Sequence, residues 1–133
     1  MIEELLEKIR DYRERASHYF RNFSEERLKN PEKAGEALWG TVSCLINAIS
    51  ILERGEPQHK HGKQRKFAEE FLISRFKEGK ELFKIYRDVE KIHSNFYHAF
   101  LEEDELENLF RDGVKLIEVL DKTLEEELKT KGL

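Results

Sequence analysis

A single cysteine, Cys44, stands in this chain of 133 residues, so no internal disulfide can form. It lies inside an apolar run, and a buried thiol in a reducing cytoplasm is the expectation. Prolines number two and glycines seven, and no run of alternating β-branched residues appears, which argues against strands. Long hydrophobic runs are scarce too. The longest uncharged stretch is ALWGTVSCLINAISIL, 16 residues from Ala37 to Leu52, too short and too rich in Gly, Ser, Thr and Asn for a membrane span. The N-terminal MIEELLEKIR is acidic and amphipathic, unlike a signal peptide. A soluble, cytoplasmic protein with no membrane contact is expected.

Charge of one sign is also lacking. Lys and Arg number 24 against 28 Asp and Glu, a net charge of -4, too small to steer a partner over long range. Five asparagines, two glutamines and one methionine stand against many Lys and Glu, a balance resembling proteins of thermophiles, in which ion-pair networks cost less to form. Length and composition fit one hydrophobic core, so residues 1–133 are read as a single all-α helical-bundle domain.

What is present repeats at helical spacing. Ile2, Leu5, Leu6, Ile9, Tyr12, Ala16, Tyr19, Phe20 and Phe23 predict a first helix of roughly 20 to 25 residues. Arg10, Arg13, Arg15 and Arg21 lie between them as a solvated face with i,i+4 partners. Asn30 is placed to cap a second helix and Pro31 to open it. That helix, over about residues 31–53, is apolar nearly all round and should be the most buried. Gly40 in its middle costs about 1 kcal/mol against alanine, so another helix should pack closely there.

Residues 53–66, ERGEPQHKHGKQRK, read as the one clear loop, locally basic through Arg54, Lys60, Lys63, Arg65 and Lys66. A third helix is marked by Phe67, Phe71, Leu72 and Phe76. A fourth, after a break near Gly79, is marked by Leu82, Tyr86, Val89, His93, Phe96 and Phe100. A fifth runs from Leu106 to Leu128. The whole is expected as an up-and-down bundle of four to five helices with one longer basic connection.

Chemistry concentrates in KIHSNFYHAF, residues 91–100. A helical wheel puts His93 in the middle of the apolar stripe, with Asn95 and His98 on the polar side. His93 therefore reads either as a hydrogen-bonded core histidine or as a functional imidazole in a groove or interface. The wall of the core is assigned to His93, Phe96, Tyr97 and Phe100, with His93 and Arg87 as the one candidate site. The basic segment reads either as a solvated loop or as a contact for phosphates through Lys60, Lys63, Arg65 and Lys66. His59 and His61 lack the further ligands that a metal site needs. No glycine-rich phosphate loop or nucleophile elbow appears, so neither metal nor cofactor is expected.

The segments GEALWGTVSCLINAI (35–49), HG (61–62) and IHSNFYHAFLEEDELENLFRDGVKLIEVLD (92–121) resemble the archaeal PaREP family. That group of small all-helical proteins is similar to the HEPN bundles. The resemblance spans roughly residues 32–125. It implies a HEPN-like bundle that pairs into a homodimer, with RNA and a nucleotidyltransferase as possible partners. It also implies one of two roles: a non-catalytic interaction or RNA-associated module, or a metal-independent ribonuclease of a toxin–antitoxin or defence system. The nuclease pattern places an arginine and a histidine four to six residues apart on a late helix. Arg13 with His18, Arg54 with His59 and Arg87 with His93 all have that spacing. Arg87 and His93 alone lie on the matching helix, about 120° apart on its wheel, so that they meet only across a dimer or around a phosphate. In this chemistry histidine takes the 2′-hydroxyl proton and arginine stabilises the phosphate.

Overall fold

A computed structural model describes residues 2–93 and 101–133. Among the described residues there are five helices: α1 (Ile2–Glu26), α2 (Pro31–Arg54), α3 (His61–Arg75), α4 (Gly79–Ile92) and α5 (Glu103–Thr130). No strand occurs among the described residues. The expected helical bundle is therefore observed. The expected wall residues Phe96, Tyr97 and Phe100, with Asn95 and His98, lie outside the described residues.

The core is built around α2. Ala34, Leu38, Val42, Ile46, Ala48, Ile49 and Ile51 are all buried on it, and the buried apolar residues of all five helices join in one cluster. This helix is long and apolar enough to cross a membrane by length and composition, yet 78% of its apolar window is buried inside the bundle. Asn30 caps it as expected, its side chain accepting the Lys33 N–H at 3.3 Å, with Pro31 next. Gly55 ends it with φ +82°, its N–H returning to the Ile51 carbonyl. That left-handed conformation is one that glycine adopts without steric cost.

Contacts between helices fix their directions. Arg15 and Asp11 face Cys44, and Tyr19 faces Gly40, so α1 and α2 are antiparallel. Phe23 meets Phe110 edge-on at 5.3 Å, and Arg13 reaches Asp121 and Glu125, so α1 and α5 are antiparallel as well. The α2–α3 step breaks the alternation. Trp39 faces His61, Ser43 bonds Gln64 and Arg54 bonds Glu70. The two helices thus run in the same general sense. Accordingly α2, α3 and α5 point one way and α1 and α4 the other, so the bundle is not strictly up-and-down.

The connection of residues 55–60 makes this possible by running back along α2. Asn47 Oδ1 accepts the Gln58 N–H at 2.9 Å, Gln58 Nε2 donates to Ser50 Oγ at 3.1 Å, and that hydroxyl donates to the Glu56 carbonyl at 2.7 Å. Two buried polar residues of an apolar helix are thereby satisfied, as burial requires. The expected long loop is shorter than its sequence suggested, because α3 begins at His61. Lys63, Arg65 and Lys66 lie on that helix, not in a loop.

Candidate functional site

A cleft of about 950 Å³ opens between the second half of α1, the first half of α2, and the near ends of α3 and α4. Its floor is Trp39, only 5% exposed. Trp39 meets Tyr86 edge-on at 5.5 Å and lies 5.7 Å from His61 and 5.8 Å from His93, centroid to centroid. The two imidazoles stack on each other with centroids 5.7 Å apart and planes 26° from parallel.

Each imidazole has a carboxylate. Glu36 Oε2 on α2 is 2.9 Å from His93 Nδ1, and Glu90 Oε2 on α4 is 4.0 Å from His61 Nδ1. Glu90 is nearly buried and holds two arginines. Arg65 donates from Nε at 2.9 Å and from its terminal nitrogen at 3.0 Å. Arg87 Nε stands 3.2 Å from Glu90 Oε1 as an ion pair. Its N–H is buried and makes no hydrogen bond with a described residue. The bond to Glu90, with its negative charge, raises the Arg65 pKa above its ordinary value.

A buried hydrogen-bond chain keeps α2, α3 and α4 in register beneath these groups. The Tyr86 hydroxyl donates to Gln64 Oε1 at 2.7 Å, and Gln64 Nε2 donates to Ser43 Oγ at 2.8 Å. Hydrogen-bond chains of this kind strengthen one another in a low-dielectric interior. Burial first, and then the negative Glu90, push the Tyr86 phenol well above its usual range, so it stays a neutral donor.

His93 is not a core residue. It ends α4 at the cleft, with its side chain 40% exposed. On the wheel it follows the buried Tyr86 and Val89, but it stands one residue past the end of α4 at Ile92. Arg87 pairs with Glu90 and His93 with Glu36, and no hydrogen bond or ion pair joins Arg87 to His93. Among the basic residues, Lys60, Lys63 and Lys66 are exposed at the start of α3, while Arg65 is committed to Glu90.

Glu36, Trp39 and Glu90 were not foreseen as site residues, and His61 was read without a site. A local signal existed for part of this. Arg87, Glu90 and His93 form an i, i+3, i+6 ridge on one helix, and Glu36 and Trp39 are an i, i+3 pair. No group of three or more His, Cys, Asp or Glu suited to a metal ion occurs among the described residues. No protein-family model, curated protein or solved structure matches this chain.

Proposed function

We propose that this chain is a HEPN-like helical protein whose cleft cleaves RNA, with His93 as the base and Arg87 and Arg65 as the phosphate-facing cations. The observation that carries the reading is the cluster itself: His93 in an open cleft, 2.9 Å from the Glu36 carboxylate, stacks on His61, which lies 4.0 Å from Glu90, the carboxylate that gathers the guanidiniums of Arg65 and Arg87. Glu36 holds His93 by Nδ1, which leaves Nε2 to take the proton of a ribose 2′-hydroxyl. The guanidiniums are permanent cations suited to the charge that builds on the phosphate. Lys60, Lys63 and Lys66 flank His61 on α3 and would attract the backbone in a salt-dependent way.

The test is cleavage of labelled single-stranded RNA, with DNA of the same sequence as control. Folding of each variant is confirmed by circular dichroism. Wild type should cut RNA and spare DNA, which lacks the nucleophile, and His93→Ala and Arg87→Ala should abolish cutting. Cleavage of DNA, or of RNA by folded His93→Ala at the wild-type rate, would sink the reading.

One observation favours a second role. Both arginines already share the Glu90 carboxylate, so their charge is partly neutralised within the chain. A non-catalytic homodimeric module, associated with RNA or a nucleotidyltransferase, would leave them so. It would bind RNA through Lys60, Lys63 and Lys66 without cutting it, and would sediment as a dimer.

A further inference from the structure

The proposed base has a neighbour of the same kind. His61 opens α3 and His93 closes α4, and the antiparallel packing of these helices brings two exposed imidazoles face to face, 5.7 Å apart. The side chains are 57% and 40% exposed, so neither ring is core filling. Both turn Nδ1 toward a carboxylate, Glu90 for His61 and Glu36 for His93. No described residue hydrogen-bonds Nε2 of either ring. Trp39 lies against both and fixes their separation from below.

We infer that His61 is a second catalytic residue, the general acid that protonates the leaving oxygen. The inference rests on the cleavage reading above. In an in-line displacement the entering and leaving oxygens lie on opposite sides of phosphorus, and two near-parallel rings present one edge to each. The step balances without a further reactant. The ribose O2′–H bond breaks and its proton passes to His93 Nε2, while the O2′–P bond forms. The P–O5′ bond then breaks, and O5′ takes the proton carried by His61 Nε2. The products are a 2′,3′-cyclic phosphate and a 5′-hydroxyl. Exchange with water returns the pair to its starting protonation. Arg65 and Arg87 cannot supply that proton, because a guanidinium does not give one up in a protein. Glu90 is ion-paired to both and lies 4.0 Å from His61 Nδ1.

The leaving group separates this role from a structural one. Full-length wild type, His61→Ala and His93→Ala are compared on the dinucleotide UpA and on uridine 3′-(4-nitrophenyl phosphate). The first releases an alkoxide that needs a proton; the second releases a phenolate that does not. General acid catalysis is worth on the order of 10²- to 10⁴-fold, so His61→Ala should lose at least about 100-fold on UpA. Its loss on the nitrophenyl ester should shrink to within about tenfold. His93→Ala should be impaired on both. If wild type cleaves both and His61→Ala loses equally on the two substrates, or loses nothing, the assignment of His61 is wrong while the cleavage reading stands. If wild type cleaves neither, the cleavage reading itself fails. His61→Asn serves as the second variant should His61→Ala not fold.

Discussion

Glu90 receives Arg65 through both carboxylate oxygens, at 2.9 and 3.0 Å, from a position only 9% exposed. This contact ties α3 to α4. Removing one partner of a buried pair leaves the other uncompensated and costs about 3–5 kcal/mol. Arg65 keeps two-fifths of its side chain in solvent, and solvent screening lowers that figure to about 1–3 kcal/mol for Glu90→Gln. Urea unfolding should show the loss as a lower midpoint with an unchanged slope. A midpoint equal to wild type would mean that the pair holds nothing together.

Gly40 and Tyr19 make a second prediction. A Cβ at Gly40 would lie 2.7–2.9 Å from three atoms of the Tyr19 ring. Alanine favours a helix over glycine by about 1 kcal/mol, but overpacking costs about 1–3 kcal/mol. Gly40→Ala alone should therefore destabilise, and Gly40→Ala in a Tyr19→Ala background should stabilise. Denaturation midpoints of the four proteins decide it, the reversal of sign being the expected outcome. Gly79→Ala should cost more than Gly40→Ala, since its Cβ meets the backbone of Leu72 and Ile73, which cannot turn aside.

Cys44 supplies the pH dependence. Burial raises its pKa from the ordinary 9.0 to about 11, with the nearby Arg15 opposing and Asp11 adding to the rise. The folded state thus prefers the neutral thiol. This contribution is complete below pH 9, where the thiol is protonated in both states. It is lost as pH rises from 9 through 11, because only the unfolded chain ionises early in that window. Cys44→Ala should flatten part of the alkaline fall in melting temperature. Native protein at pH 8 should resist thiol alkylation until it unfolds.

Glu36 lies at the exposed rim, so its pair with His93 contributes little to stability, in line with the 0–1 kcal/mol typical of surface ion pairs. Its effect should fall on the reaction. Glu36→Gln should slow RNA cleavage about tenfold, equivalent to about 1.4 kcal/mol of barrier, with an almost unchanged melting curve. Equal rates would show that His93 needs no orienting carboxylate.

Local pattern was legible wherever it reflects one helix at a time. The apolar repeat of α1, the Asn30–Pro31 start of α2 and the close approach at Gly40 could all be read from spacing, because each depends on neighbours within a turn or on a missing side chain. The limits of α3 and α4 were less legible. A polar first turn, HGKQRK, looks like loop until Gln64 is seen bonding Ser43 and Tyr86, and Arg65 bonding Glu90.

The sequence by itself determined an all-helical chain with α2 at its centre, since burial of so many apolar residues at helical spacing leaves little choice. Only the tertiary structure decided the site. His61 and His93 are 32 positions apart, and Glu36 is 57 from His93. Their meeting over Trp39 depends on α3 running in the sense of α2. That sense is set by the connection hydrogen-bonded to Asn47 and Ser50, a long-range arrangement to which helical periodicity is blind.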